Sequence, residues 1–221
     1  MRKIKKLEKP AILIANANKW TKEYCSCLSS GQTPSKEIAT RYKDPTIKAK
    51  LEQETHGKCA YCESKIKHIT YGDIEHILPK NKDARPDLYV EWTNLTLACE
   101  QCNRSGKRTY YEPQLLLINP YVDDPEEHFQ DLGPLIMSVL CDDRAFVTEN
   151  VLKLNRSSLV ERRIERITQV KWLLSSWAKE KNSTMKEVLE QQLHEEYSEE
   201  AEYSSTVKAF LKANKFPVEE K

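Results

Sequence analysis

The chain has 221 residues, of which 39% are hydrophobic and 31% are charged, with only five glycines. This length and composition predict a soluble, helix-rich protein with one medium domain, or a small domain with extensions. The 35 basic and 34 acidic residues nearly cancel, whereas a protein that binds nucleic acid tightly on its own usually carries a basic excess. No apolar run approaches the roughly 18 residues that a membrane span needs, which excludes an integral membrane protein.

The N-terminus and the cysteines predict a cytoplasmic protein. The basic start of the chain leads only to a short apolar run, residues 12–14, which is too short for a signal peptide. Thiols stay reduced in the cytosol, so the seven cysteines indicate metal binding rather than disulfides.

Residues 1–55 are predicted to form an N-terminal extension and a packing helix. Residues 11–14 fit either the start of a helix or a short strand. The spacing of Cys25 and Cys27 does not suit a zinc knuckle, and we interpret both as structural. Residues 45–54 are helix-permissive, and Gly57 follows them as a C-terminal cap would.

Two CxxC pairs frame the middle of the chain, Cys59/Cys62 and Cys99/Cys102. One such pair could be redox-active or fortuitous, but two of them with a carboxylate–histidine pair between predict a zinc site. Four thiolates leave zinc no open position, so this zinc would be structural. The alternatives are a zinc ribbon in a non-catalytic binding module and, less favoured, a thiol–disulfide protein.

The segment between the two cysteine pairs is predicted to form a β-hairpin. Residues 71–77 alternate as a strand does, which places Glu75 and His76 on opposite faces. A polar loop leads to a second short strand at residues 94–98, and a helix begins near Cys102. Residues 56–112 therefore predict a small ββα unit with zinc at its base.

These motifs carry a resemblance to a known family. Cys59/Cys62, Glu75-His76 with Pro79, Asn94 and Cys99/Cys102-Asn103 occur in the order of the HNH endonucleases, the ββα-metal family, in its four-cysteine form. Asn119-Pro120 and residues 124–129 are also similar to PtuB-type HNH proteins. Two departures are Glu75, where the family more often has Asp, and Asn103 in place of His.

The resemblance implies a nuclease that hydrolyses phosphodiester bonds. His76 would be the general base, a task that suits an imidazole with an unperturbed pKa near neutrality. Asn94 would hold the His76 ring in place through its backbone or side-chain amide. Glu75 and Asn103 would bind one catalytic Mg²⁺ or Mn²⁺ through oxygen ligands. DNA and RNA are both open as substrates.

Basic residues cluster around the cysteine core and are predicted to contact the phosphate backbone; a solvated surface is the alternative. They are Lys80, Lys82, Arg85, Arg104, Lys107 and Arg108.

Residues 113–221 are predicted to form a β-hairpin, between residues 135–140 and 145–147, followed by helices. Capping boxes at Ser158 and Thr184 would open two of these helices, and a third would run over residues 199–213. The apolar faces would carry the residues Val160, Ile164, Ile167, Leu174 and Trp177, then Val188, Leu189 and Leu193, then Tyr203, Val207 and Phe210.

Four further side chains are predicted to lie outside the catalytic site. Cys141 lies in an apolar run and is predicted to be buried in the core, whereas His56 and His68 are predicted to lie at the surface. His128 follows Pro125 at a predicted helix start, where acidic residues fill the first turn.

The predicted fold class is α+β, with a zinc-stapled ββα-metal core embedded in a mostly helical domain with a C-terminal helical lobe. No low-complexity linker precedes residues 113–221, so they are predicted to pack with the core as one domain or as a closely docked helical lobe. The resemblance implies that this region docks a partner. That partner would be a PtuA-like ABC-type ATPase, encoded beside the nuclease in anti-phage operons. In operons of the retron kind, a reverse transcriptase and its RNA–DNA hybrid would join it.

Overall fold

The computed structural model describes residues 1–66 and 71–218. His68, for which we predicted a surface position, lies outside the described residues. Three helices begin the chain: α1 (Ala11–Ser29), α2 (Lys36–Thr40) and α3 (Pro45–Glu54). Residues 11–14 therefore open a helix rather than a strand.

The helix α3 has the boundaries that the sequence predicts. Asp44 accepts a hydrogen bond from the Thr46 backbone N–H, which caps the first turn. Gly57 ends the helix region with φ +68°, and its N–H donates to the Glu52 carbonyl at 2.8 Å. Its apolar side, with Ile47 and Leu51, is fully buried.

The predicted ββα unit is confirmed. The strands β1 (Asp73–His76) and β2 (Leu95–Ala98) pair in antiparallel fashion, with Glu75 opposite Thr96. A π-helix, Gln101–Lys107, follows β2. A Cβ atom at Gly106 would lie 3.0 Å from the carbonyl oxygens of Gln101 and Val151. The π-helix therefore packs closely against residues 151–152.

The β-hairpin after the ββα unit was predicted in the wrong place. Its second arm was expected at residues 145–147, but these residues lie in a helix that Asp142 caps by accepting from the Ala145 N–H. The actual hairpin forms one element earlier, around the turn at Gly133, which has φ +62°. The elements of this region are α4 (Pro125–His128), β3 (Phe129–Leu132), β4 (Leu135–Ser138) and α5 (Asp143–Val151).

Cys141 is exposed, so its predicted core position is wrong; it lies in the turn between β4 and α5, with φ +66°. His56 is exposed, as predicted.

Three helices complete the described chain: α6 (Ser157–Lys179), α7 (Ser183–Glu196) and α8 (Ser204–Ala213). Neither predicted capping box is used. The helix α6 has Arg156 at the N-cap position without a side-chain cap, and Asn182 caps α7 by accepting from the Met185 N–H. The third helix begins five residues later than position 199, at Ser204.

The buried face of α6 also differs from the prediction. Leu174 is buried as predicted, but Ile164 is 47% exposed, and Leu159, Arg163 and Val170 are buried instead. In α7, Val188 is likewise exposed and Leu193 is buried. The predicted apolar faces therefore included some residues that face solvent. An apolar pattern alone does not predict that an arginine is buried.

One hydrophobic core joins the N-terminal helices, the ββα unit and the start of α6. It includes Leu13, Leu51, Leu97 and Leu159. A smaller cluster lies between α6, α7 and α8, around Val170, Leu174, Leu193, Val207 and Leu211. In residues 1–66 and 71–218 we find no helix with the length and apolarity that crossing a membrane requires.

Candidate active site and metal centre

The four cysteines of the two CxxC pairs come together in one cluster. Their sulfur atoms all lie within 4.8 Å of one another, and the Cys62 and Cys99 sulfurs are 3.8 Å apart. A tetrahedral zinc with sulfur ligands at about 2.3 Å places the sulfurs about 3.8 Å apart, so the donor set fits zinc. The cysteines are free thiols rather than disulfides. The arrangement suits a closed, structural metal centre.

Backbone hydrogen bonds shape the turn that carries the first pair. The Cys59 N–H donates to the Ser64 carbonyl at 2.9 Å, and the Glu63 N–H donates to the Cys59 carbonyl at 3.0 Å. The Ala60 N–H donates to the Leu97 carbonyl of β2 at 2.9 Å. The zinc turn is therefore attached directly to the strand that leads to the second pair.

His76, at the end of β1, is almost completely buried. Its Nε2 lies 2.8 Å from the Tyr89 carbonyl oxygen, which can only accept, so Nε2 carries the proton and Nδ1 is the basic nitrogen. The Tyr42 ring meets the imidazole edge-on, with 4.6 Å between ring centres. This is the tautomer that a general base requires.

The near-neutral pKa expected for His76 is wrong. Burial, with smaller effects from the nearby Lys80 and Lys107 ammonium groups, lowers the pKa of His76 to about 3. The imidazole is therefore neutral throughout the physiological pH range, and in this buried state it is a weaker base than a histidine with a near-neutral pKa.

The Asn94 side chain hydrogen-bonds Leu78 and Leu88, and its described side-chain contacts do not include the His76 ring that it was expected to hold. Its side-chain oxygen accepts from the Leu78 N–H at 2.8 Å, and its Nδ2 donates to the Leu78 carbonyl at 2.9 Å and the Leu88 carbonyl at 3.4 Å. Asn94 thus closes the loop between the two strands. Because Tyr89 directly follows Leu88, this loop closure places the carbonyl that holds the His76 ring.

Glu75 is buried and paired with the π-helix. Its Oε1 lies 2.5 Å from the Lys107 Nζ, which also donates to the His76 carbonyl at 2.8 Å. Burial raises the pKa of Glu75, and the Lys107 charge opposes this effect. Glu75 and Lys107 therefore form a buried ion pair directly behind the candidate base.

Asp73 lies beside the candidate site, although the sequence analysis did not single it out. The Asn103 Nδ2 donates to Asp73 Oδ2 at 3.2 Å, and Arg104 donates to the same carboxylate at 2.7 and 2.9 Å. Asp73 and Glu75 are two residues apart in β1 and so share one face of the strand. That spacing is the signal that could have found it.

The oxygen ligands that Mg²⁺ or Mn²⁺ prefers are therefore present on one face of the ββα unit. Glu75 and Asn103 were predicted as the ligands, but the described contact of Asn103 is with Asp73 rather than Glu75. Each carboxylate is neutralised by a basic residue of the π-helix, Glu75 by Lys107 and Asp73 by Arg104.

The residues predicted to contact phosphate differ in availability. Lys107 is buried against Glu75, so the predicted contact of this lysine with phosphate is wrong. Arg85 and Arg104 are bound to Asp87 and Asp73, respectively. Lys82 and Arg108 are exposed.

Lys80 lies among tyrosine rings beside the histidine. Its Nζ is 5.2 Å from the Tyr24 ring centre, 5.5 Å from that of Tyr42 and 5.9 Å from that of Tyr89. Burial, together with the nearby Lys43 charge, lowers the pKa of Lys80. The Lys80 ammonium group is therefore surrounded by aromatic rings at the edge of the His76 site.

A basic cleft of about 520 Å³ lies where the end of the π-helix meets the end of α5. Arg108 and Lys153, both exposed and both with φ near +50°, line it. Its other lining residues are Ser105, Gly106, Lys107, Thr109, Tyr110, Asn150 and Val151, with no acidic side chain among the described lining residues.

Comparison with known proteins identifies the class of this unit. Residues 59–108 match the model of a family described as HNH endonuclease. With the four-cysteine cluster and the ββα geometry, this match shows an HNH domain in its zinc-stapled form.

The relatives are proteins of the Septu kind. The chain is 36% identical to the Septu protein PtuB of Bacillus mycoides (strain KBAB4), over 42% of this chain and 41% of that protein. It is 32% identical to the Septu protein PtuB of Bacillus thuringiensis, over 69% of this chain and 54% of that protein. The chain is thus similar to Septu PtuB proteins over part of their length, and it contains an HNH domain.

A third relative is the Septu protein PtuA of Bacillus mycoides (strain KBAB4), which is 29% identical over 52% of this chain and 20% of that protein. The chain thus spans about half or less of the length of these curated relatives. No solved structure matches it.

Proposed function

We propose that the chain is a metal-dependent HNH endonuclease that hydrolyses phosphodiester bonds in DNA or RNA. The observation that carries the proposal is the hydrogen bond from His76 Nε2 to the Tyr89 carbonyl, which makes Nδ1 the basic nitrogen. A neutral imidazole held in one tautomer can take the proton from an attacking water. The HNH match over residues 59–108 supports the same chemistry.

Glu75 and Asn103 are the proposed ligands of the catalytic cation, which would be Mg²⁺ or Mn²⁺. When bound, such a cation neutralises charge on the scissile phosphate and on the leaving oxygen. Lys107 holds the Glu75 carboxylate from one side and the His76 backbone from the other. Asn94 keeps the loop of Tyr89 closed, so the base keeps its orientation.

The test compares His76→Ala with His56→Ala, a control at an exposed histidine. Plasmid DNA and total RNA are incubated with Mg²⁺ or Mn²⁺, and zinc content is measured for each protein. We expect His76→Ala to lose about 100-fold or more in cleavage rate with unchanged zinc, and His56→Ala to cleave as the parent does. Equal cleavage by His76→Ala and the parent would overturn the assignment of the base.

A non-catalytic zinc module that binds nucleic acid or a protein is the second candidate. It is favoured by the burial of His76 and Glu75, which leaves 7% and 5% of these residues exposed. This candidate predicts no cleavage with any divalent cation, and equal nucleic-acid binding by His76→Ala and the parent.

We further propose that the nuclease is the effector of a bacterial anti-phage defence complex in the cytoplasm. Its partner would be a PtuA-like ABC-type ATPase, with a retron reverse transcriptase and its RNA–DNA hybrid in operons of that kind. The similarity to Septu PtuB proteins supports this role. The buried His76, covered by Tyr42, suits a nuclease that a partner must open.

Cleavage assays with and without the neighbouring ATPase test this part of the proposal. We expect cleavage to require the ATPase or to rise with it. Cleavage by the isolated chain at a rate that the ATPase does not change would overturn the partner role while leaving the nuclease assignment intact.

The basic cleft beside the π-helix is the proposed contact for the nucleic-acid backbone outside the scissile phosphate. Arg108 and Lys153 present two positive charges in a cleft without acidic lining residues in the described chain. In the His76→Ala background, charge reversal at either position should weaken nucleic-acid binding. The slope of log affinity against log salt concentration should also fall by the equivalent of about one phosphate contact. Lys171→Glu, at an exposed lysine of α6, is the control, and an equal loss there would contradict a specific contact.

A further inference from the structure

The Arg156 side chain lies against the four-cysteine cluster. Its Nη1 is 3.8 Å from the Cys102 sulfur, and its Nη2 is 3.9 Å from the sulfurs of both Cys62 and Cys99. Arg156 stands at the start of α6, well outside the HNH match at residues 59–108. A residue of the C-terminal region therefore contacts three of the four candidate zinc ligands.

The charge of the cluster explains why an arginine is useful there. Four thiolates and one Zn²⁺ carry a net charge of −2, and three of the four cysteines are buried. A guanidinium donating to the sulfurs compensates part of this charge and fixes their orientation.

A second contact joins the same turn to α8. The Cys62 sulfur lies 3.3 Å from the Ser64 hydroxyl, and that hydroxyl lies 2.8 Å from the hydroxyl of Tyr203. Tyr203 is buried and has φ +52° immediately before α8. The Lys65 N–H also donates to the Glu202 carboxylate at 2.9 Å. The starts of α6 and α8 thus converge on one zinc turn.

We propose that Arg156 is a positioning residue of the zinc centre and that it couples zinc retention to the docking of the C-terminal helices. The guanidinium stabilises the zinc-bound thiolates, and the bound zinc in turn holds the start of α6 in place. The C-terminal region then completes the metal centre of the HNH domain. This inference rests on zinc at the four cysteines and is independent of whether the chain cleaves nucleic acid.

A purely structural role for Arg156 makes a different prediction. The Nη1 also donates to the Leu152 and Lys153 carbonyls at 3.4 and 3.3 Å, so the side chain ties α5 to α6 as well. If that tie were its whole role, its loss would lower the free energy of unfolding without a selective effect on zinc. Zinc release therefore has to be measured on folded protein.

The experiment compares Arg156→Gln with Lys171→Gln, a control at an exposed basic residue further along the same helix. Zinc-loaded proteins are mixed with a coloured chelator, and release is followed under conditions where circular dichroism shows native helix content. We expect Arg156→Gln to bind zinc about 10- to 100-fold more weakly, and Lys171→Gln to match the parent. Equal zinc affinity in Arg156→Gln and the parent would overturn the proposal.

Arg156→Lys covers the case in which the glutamine variant does not fold. Lysine keeps the charge but lacks the planar fork that carries donors on two separate nitrogens, so we expect an intermediate zinc affinity. In the cobalt-substituted protein, the sulfur-to-cobalt absorption band should also shift in Arg156→Lys, because donation to the sulfurs changes. An unchanged affinity together with an unchanged band would overturn the proposal. A parent protein without zinc would instead reject the zinc assignment itself.

Hydrogen exchange tests the coupling to the helices. We expect zinc removal to increase exchange first at the starts of α6 and α8, and Tyr203→Phe to weaken zinc retention less than Arg156→Gln does. Unchanged protection of both helix starts after zinc removal would overturn the coupling.

Discussion

The ammonium group of Lys107 joins the two residues of the acid–histidine pair, contacting the Glu75 carboxylate at 2.5 Å and the His76 carbonyl at 2.8 Å. Both side chains of the ion pair are almost fully buried. The π-helix that follows the second CxxC pair therefore supports the catalytic strand from behind. Lys107 belongs to the architecture of the site rather than to a surface that contacts phosphate.

Lys107→Met should lower the free energy of unfolding by about 3 kcal/mol, because it leaves a buried carboxylate without its counter-charge. Urea denaturation of the zinc-loaded protein measures this loss. Added Mn²⁺ should stabilise Lys107→Met more than the parent, since a cation at Glu75 replaces the missing positive charge.

The double variant Glu75→Gln with Lys107→Met is the control for this prediction. Removing both charges should recover most of the lost stability, because no unpaired carboxylate is left behind. Additive losses in the double variant would show that the two side chains do not act as a pair.

Asp73→Asn should weaken Mn²⁺ binding, although the sequence motif does not include this residue. The Asp73 carboxylate shares a strand face with Glu75 and contacts the Asn103 amide at 3.2 Å, so it lies beside the proposed cation ligands. Calorimetric titration with Mn²⁺ on zinc-loaded protein provides the measurement. We expect a loss of about 10-fold or more, as removal of a carboxylate ligand or its partner produces.

Arg104→Gln separates this role from a structural one. Arg104 makes two hydrogen bonds to the same carboxylate, so its removal breaks that ion pair while keeping the oxygen atoms available. A cation-binding role predicts unchanged or tighter Mn²⁺ binding in Arg104→Gln. If both variants weakened binding equally, Asp73 would serve only to anchor Arg104.

The parts of the site that the sequence predicts are those encoded by short spacings. Each CxxC pair places two thiols in one turn, and the strand period fixes Glu75 and His76 on opposite faces of β1. The helix α3 was predictable for the same reason, since Asp44 and Gly57 are its start and stop signals.

The partners supplied by distant packing were not predictable from those patterns. Lys107 and Arg108 are adjacent basic residues in the sequence, yet one is buried and the other is exposed. The packing of the π-helix on β1 decides which is which. Nothing in the sequence distinguishes Arg156 from the other arginines near the start of α6. Its role depends on the fold, which places it beside the cysteine cluster.

The misread face of α6 has a similar cause. Arg163 is fully buried and donates to the Pro134 carbonyl at 3.1 Å, whereas Ile164 beside it faces solvent. A helical period of apolar residues places Ile164 in the core and Arg163 at the surface. It contains no information about a polar acceptor on the turn between β3 and β4.

Asn94→Ala should reduce cleavage while leaving zinc content unchanged. The Asn94 side chain makes two hydrogen bonds with Leu78 and one with Leu88, and these hold the Tyr89 carbonyl that orients the His76 ring. Loss of this loop closure should lower the cleavage rate by about 10-fold or more through misplacement of the base. Cleavage rate and zinc stoichiometry are measured together.

Asn94→Asp is the matched variant, since it keeps the oxygen that accepts from Leu78 but lacks the two N–H donors. We expect it to cleave no faster than Asn94→Ala, because a buried carboxylate oxygen would face the Leu78 and Leu88 carbonyl oxygens. Equal cleavage rates for all three proteins would reject the role of Asn94 in positioning His76.

Lys6 should make the free energy of unfolding depend on pH under alkaline conditions. Its Nζ donates to the Glu54 carboxylate at 2.7 Å and the Leu95 carbonyl at 2.6 Å, and lies 3.8 Å from the Trp92 ring centre. Burial outweighs the Glu54 charge and lowers the pKa of Lys6 from 10.5 to about 8.

The direction of the resulting stability change follows from proton counting. Between pH 8 and 10.5 the unfolded chain binds more protons at Lys6 than the folded chain does. The Lys6 contribution to the free energy of unfolding should therefore rise with pH across this window, by about 3 kcal/mol at most, and be constant below it. Lys6→Met lacks this rise. The unfolding free energy of the parent minus that of the variant should therefore increase from pH 8 upward. Lys5→Met, at an exposed neighbour, is the control; if its pH profile matched that of Lys6→Met, burial of Lys6 would not be the cause.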